Sequence, residues 1–221
     1  MEHAKDIVSS AEPSPDCPLC PRLAAFRHAN RAQWPHWFNA PVPSFGDRDA
    51  RLLIVGLAPG LKGANRTGRP FTGDYAGDLL YESLLEFGLA AGEYRQTPDD
   101  GLTLRSAIIA NAVRCVPPEN KPTVEEILTC NRFLRAQMAV LPRLFAILAL
   151  GQVAHAAVLT VLGERRSLYP FRHGARHDLK NYVLFDSYHC SRYNTNTGRL
   201  TPAMFKAVIG AIASLLGESR Q

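Results

Sequence analysis

The sequence predicts an α/β fold of three layers: a central, mostly parallel four-stranded sheet with helices on both faces. Three observations predict it. Nearly continuous apolar runs at 51–57, 106–113, 144–150 and 182–186 are of the kind buried on both faces of a parallel sheet. Segments with helical spacing lie between and after them, so strands alternate with helices. Two long polar, glycine-bearing loops follow directly on the first and last runs, at the carboxyl ends of strands, where ligands collect in such sheets.

Taken in order, residues 1–16 are polar and proline-bearing and read as a loose arm, ahead of a single domain over 17–221. A short helix is expected over 23–32, then an irregular aromatic connection, WPHWFNAPVPSFGD, with prolines at 35, 41 and 43. The first strand, RLLIVGL, feeds the loop GLAPGLKGANRTGRPFTGDYAG at 56–77. A helix is expected over 78–87, where Leu79, Leu80, Ser83, Leu84 and Phe87 share a face and Gly88 supplies the stop. The second strand closes on Asn111. After the prolines at 117 and 118, Thr123 and Glu126 form a capping-box signature for a long amphipathic helix that contains Cys130. The third strand, a helix over 152–162, the fourth strand and a closing helix over 202–216 with Thr201 as its cap complete the chain.

Bulk properties set the bounds. The chain has 221 residues, with 25 Lys and Arg against 20 Asp and Glu, a net charge of +5 and a pI of about 9.1, which is compatible with a polyanionic partner. Its apolar runs are too short to span a bilayer and its start lacks the apolar core of a signal peptide, so a soluble cytoplasmic protein is expected. Five cysteines in such a chain argue for free thiols or metal ligands rather than a disulfide framework. Cys17 and Cys20 form a CxxC, and Cys115 and Cys130 stand fourteen residues apart, a set that suits an iron–sulfur cluster or a structural zinc equally.

The loop at 56–77 lacks the Gly-Lys-Ser/Thr of a P-loop and the GxGxxG of a dinucleotide site. Its glycines permit backbone to approach a ligand, and it offers Asn65, Arg66, Arg69, Phe71 and Asp74 as chemistry. The second loop, SYHCSRYNTNTG from Ser187, sets His189 among hydroxyls and amides. Cys190 beside it is set aside as a nucleophile partner, since neighbours on extended chain point to opposite sides.

GLAPG, GRPFTGD, AGDLL, NAVRC with a second cysteine on the next helix, and HCSRYNTNTG together resemble the uracil-DNA glycosylase superfamily, specifically its iron–sulfur, type-b branch, also called family five, over about residues 17–198. The resemblance implies a glycosylase that hydrolyses the N-glycosidic bond of uracil and other deaminated bases, leaving an abasic site. It implies a 4Fe-4S cluster on Cys17, Cys20, Cys115 and Cys130. It places Gly56, Ala58, Phe71, Asn111 and His189 against the base, Phe71 stacking on the ring, Asn111 matching its edge and His189 favouring its anionic form. Uracil-specific relatives carry an acidic or polar residue where this chain has Leu57 and Ala58; Asp74 is the substitute water activator, with Asp78 discounted because a helix start gives it a structural role.

Arg66, Arg69, Ser191, Arg192, Tyr193 and Asn194 are the DNA-contacting candidates, with Lys62, Thr195 and Asn196 beside them and the basic stretch 165–177 as a further DNA-facing edge. The partner implied is double-stranded DNA carrying deaminated bases, with single-stranded DNA as an alternative form and a monomer as the acting unit. The rival readings are a non-catalytic iron–sulfur nucleic-acid-binding protein and a glycosylase acting chiefly on another base such as hypoxanthine.

Overall fold

The computed structural model describes residues 11–218. Its main sheet has six strands in the order β1-β5-β2-β6-β8-β7, where β1 is Phe45–Gly46, β2 Leu52–Gly56, β5 Ala107–Asn111, β6 Ala146–Leu150, β7 Arg176–Asp178 and β8 Val183–Ser187. The four inner strands are the expected ones and run parallel. Every residue in them is buried, which is why their sequences read as apolar runs rather than alternations.

The expected count of four strands is corrected to six. The two edges, β1 and β7, pair antiparallel with β5 and β8. They are two and three residues long and largely solvent-facing, too short and too polar to leave a hydrophobic period. A separate two-stranded ladder joins β3 (Ala90–Ala91) to β4 (Thr103–Leu104).

Side chains alternate across the sheet as the pleat requires. Leu52, Ile54, Ile109, Leu148 and Phe185 meet Leu80, Leu84, Phe205 and Ile212, so helices Tyr75–Glu86 and Pro202–Glu218 cover one face. Leu53, Val55, Ala110, Ile147 and Leu184 meet Leu134, Met138, Ala154 and Val158, so helices Val124–Ala139 and Gln152–Leu162 cover the other. The capping box at Thr123 forms in both directions, and Gly163, at φ 73°, ends the helix before it.

Two expectations about segment ends are corrected. The helix after the first loop starts at Tyr75, one turn earlier than its apolar face suggested, so Asp74 rather than Asp78 caps it. Of the expected loose arm, residues 1–10 lie outside the described residues, and 11–16 are docked. Ala11 is buried, the Ser44 amide donates to Glu12 and Glu12 pairs with Arg114 at 3.1 Å. No described helix is long and apolar enough to cross a membrane.

Candidate active site

The register that pairs Gly56 with Asn111 sets the ends of β2 and β5 side by side. A Cβ on residue 56 would lie 2.4 Å from Asn111 Oδ1 and 2.7 Å from Phe71 Cζ, so only glycine lets the amide and the ring close over the strand end. Phe71 sits at φ 52°, a left-handed conformation that a bulky side chain adopts only when its surroundings fix it. Here Tyr94 donates its hydroxyl to the Phe71 carbonyl at 3.1 Å and Tyr81 donates to the preceding Pro70 carbonyl at 2.6 Å. The ring is buried and faces the His189 imidazole at 5.7 Å between centroids, 28° from parallel.

These groups line a cleft of about 510 Å³, together with Leu57, Ala58, Gly60, Asp74, Tyr75, Asn120, Ser191 and Arg192. Asn111 is 3% exposed, and its Oδ1 is buried without a hydrogen-bond partner. An unmet buried acceptor costs about 1–3 kcal/mol. A ligand donor relieves that cost. Burial pushes the His189 imidazole down to about 4, so the ring is neutral at physiological pH and has one N–H to donate. The loop that carries it is held by its own residues: the Asn194 side chain donates to the His189 carbonyl at 2.8 Å, and Ser191 Oγ caps the short helix Arg192–Asn196 by accepting from the Asn194 amide. Cys190 turns the opposite way into the core, its thiol pushed up to about 12 by burial, which leaves no Cys–His pair.

Asp74 lies in the same cleft as a helix cap. Its Oδ1 accepts from the Ala76 amide at 3.2 Å, while Oδ2 rests over Gly60 and Gly63; a Cβ on residue 63 would come within 2.2 Å of it. Burial raises the carboxyl above the usual range, against the opposing backbone hydrogen bonds. The result is a desolvated carboxylate with one oxygen engaged. Asp78 instead accepts from the Gln96 side chain at 2.7 Å.

The other expected contacts divide. Arg66 and Lys62 are exposed, Tyr193 is 72% exposed, and Arg192 lies over the Tyr75 ring at the rim of the cleft. Arg69 is corrected: it is buried, pairs bidentately with Asp100 at 2.8 and 2.6 Å, and sits among the rings of Phe45, Tyr81 and Tyr94. It braces the Phe71 turn and has no surface to offer DNA. Asn65 is likewise internal, donating to Asn39. In the 165–177 stretch the arginines are exposed, but His177 turns inward to Asp186, which also meets His155.

Asn120 and Tyr75 were not anticipated. Asn120 enters the cleft from the turn Pro118–Asn120 at φ 57°, a conformation asparagine tolerates, and the only trace in the sequence is an asparagine after two prolines.

A second constellation lies behind this cleft. Cys115 and Cys130 are buried with Leu23 and Val113, and the half-buried Cys20 packs against them. Cys20, Cys115 and Cys130 are each pushed up to about 11, by burial first and by one another and Cys17 in addition. The Arg114 amide donates to Cys130 Sγ at 3.3 Å and Arg27 Nη1 to Cys115 Sγ at 3.6 Å. Four thiols converge here from the segment leading into helix Pro21–Gln33, the strand-end loop after β5 and helix Val124–Ala139.

The fold and the cleft define an α/β protein with a cleft at the carboxyl ends of a parallel sheet, set between an aromatic face and hydrogen-bonding side chains. The family model of the uracil DNA glycosylase superfamily matches residues 43–213. The chain is similar to the type-5 uracil-DNA glycosylase of Thermus thermophilus, with 47% identity over 91% of this chain and 94% of the relative. It is 40% identical to that of Pyrobaculum aerophilum, covering 91% and 90%, and 40% identical to that of Mycobacterium bovis, covering 91% and 78%. The chain belongs to the uracil-DNA glycosylase superfamily, in its type-5 branch.

Proposed function

We propose that this protein is a monofunctional DNA glycosylase that removes uracil from DNA by hydrolysis and leaves an abasic site. The observation that carries the reading is the buried, unpartnered Asn111 Oδ1 under Phe71 and beside a neutral His189. A uracil ring turned out of the stack presents N3–H to that oxygen and its O4 to the amide nitrogen of Asn111. Phe71 covers the ring face, and the His189 N–H meets the carbonyl oxygen on which charge collects as the base departs. A neutral donor suits a developing anion, because it stabilises charge without first protonating the base.

In the step itself the C1′–N1 bond breaks, its electron pair leaves with the base, and a water oxygen bonds C1′ of the oxocarbenium-like sugar. Asp74 orients that water through its free oxygen and accepts the proton released, which then passes to the uracil anion or to solvent. Water is the nucleophile, since no lysine lies among the cleft residues to form a Schiff base. Exposed Arg66, Lys62 and Arg192 supply attraction to the duplex backbone, and the exposure of Tyr193 beside the cleft-lining Arg192 supports a role for it in filling the gap left by the base. Leu57 and Ala58 give the cleft entrance little polar discrimination, which supports a lesion range reaching other deaminated bases such as hypoxanthine.

The four cysteines fit a 4Fe-4S cluster. The N–H donors aimed at the Cys115 and Cys130 sulfurs suit a thiolate-bound group, and the resemblance of the chain to the iron–sulfur branch supports the cluster. Cys17, Cys20, Cys115 and Cys130 would hold it, and its contribution is structural: it ties helix Pro21–Gln33 to helix Val124–Ala139 behind Asn111.

Incubation of cluster-replete protein with a duplex holding one deoxyuridine tests the reading by release of free uracil. Binding without release leaves the non-catalytic alternative or a glycosylase acting chiefly on another base. A panel with hypoxanthine and xanthine places the lesion range.

A further inference from the structure

Arg27 is 2% exposed, yet among the described residues it makes no ion pair with a carboxylate. Its contacts are the Cys115 sulfur at 3.6 Å through Nη1 and the Cys17 carbonyl at 3.1 Å through Nη2, while Nε is buried without a partner. The other deeply buried guanidiniums that face the loops are balanced: Arg69 by Asp100 and Arg114 by Glu12. Asp16 feels Arg27 only behind its own surface pair with Arg31.

A buried cation without a counter-charge carries a desolvation penalty of several kcal/mol. Arg27 Nη1 is turned instead to Cys115 Sγ, so the group it faces is the four-cysteine cage. With a cluster bound, four thiolates would outweigh the charge of its oxidised core, and the guanidinium that donates to Cys115 Sγ would face a net anion.

We propose that Arg27 is the buried counter-cation of the cluster, a residue that holds the cluster in the protein and sets its reduction potential. This rests on the cluster reading above. Reduction adds one electron to the core and no bond is made or broken, so the charge next to Arg27 becomes more negative. The cation stabilises the reduced form more than the oxidised one and raises the potential. The same attraction opposes loss of iron, since the buried guanidinium has no carboxylate to pair with once the cluster is gone.

The test compares holoprotein with Arg27→Met, which keeps the length and removes the charge, and Arg27→Lys, which keeps the charge. Iron and sulfide per chain, the rate of iron release to a chelator, and the midpoint potential by film voltammetry are measured. Arg27→Met is expected to shift to more negative potential and release iron about ten-fold faster or more, as loss of a ligand's outer partner does; Arg27→Lys stays near wild type in potential. A fully loaded Arg27→Met with wild-type potential and release rate overturns the proposal. Should Arg27→Met not retain iron, Arg27→Lys decides: retention at wild-type potential supports the charge role, and equal loss in both assigns Arg27 to packing alone. Wild-type protein without iron and sulfide overturns the cluster reading itself, a failure visible before any variant is made.

Discussion

Replacing Asn111 by leucine separates a functional residue from a structural one, because the two effects have opposite signs. Asn111 Oδ1 is buried without a partner, so the free protein bears a cost of about 1–3 kcal/mol that a similar-sized apolar side chain removes. Crowding offsets part of the gain, since Phe71 and the Gly56 backbone leave little room for branching methyls, at about 1 kcal/mol. The net is a stability unchanged or raised by up to about 2 kcal/mol, which moves Tm upward by at most about 4–8 °C in a chain of this size. Uracil release should behave oppositely. Hydrogen bonds to a base gaining negative charge are worth about 1.5–3 kcal/mol each, so single-turnover excision falls by about 100-fold. Thermal unfolding by circular dichroism and single-turnover release on one duplex read both quantities. An Asn111→Leu protein that melts several degrees lower and still excises within a few-fold of wild type would refute the base-edge role.

Asp74→Asn keeps a good helix cap and removes a desolvated charge, so Tm at pH 7 should hold or rise while turnover collapses and binding to an abasic-site duplex persists. In wild type, turnover should fall on acidification through the raised carboxyl of Asp74, and unimpaired turnover in the variant would move water activation elsewhere. For His189, a folded value of about 4 against about 6.5 unfolded means the unfolded chain binds the proton first, so stability present above about pH 6.5 is lost as pH falls toward 4. The loss is at most about 2 kcal/mol at pH 5, and His189→Gln should flatten that part of the Tm–pH curve; an unaltered curve removes the assignment. Arg69→Ala should cost about 3–5 kcal/mol by stranding the buried Asp100. Arg66→Ala should leave Tm within about 0.5 kcal/mol and weaken duplex binding with a smaller salt slope, measured by fluorescence anisotropy.

The four inner strands and their covering helices were legible because burial on both faces leaves unbroken apolar runs, and because Thr123, Glu126 and Gly163 mark helix ends by local chemistry. The edge strands β1 and β7 were not, since two or three residues carry no period and their pairing is decided by neighbours distant in sequence. The cleft was legible in its loops: Phe71, Asp74, Asn111 and His189 do converge. What the sequence concealed was which polar residues face inward. Arg69 looks like any basic loop residue until Asp100 is brought to it from thirty-one positions away. The cap role of Asp74 is hidden because the helix begins before its apolar face does, which puts Asp78 at the apparent start. Asn120 depends on a turn conformation that nothing upstream announces.

The central claim is that the cleft formed by Asn111, Phe71, His189 and Asp74 hydrolyses the glycosidic bond of uracil in DNA. Quantified release of free uracil from a duplex with a single deoxyuridine, by cluster-replete wild-type protein in excess, tests it most directly. The account predicts one uracil and one alkali-labile abasic site per duplex, with no strand break before alkali. Tight binding of that duplex with no uracil released would contradict it.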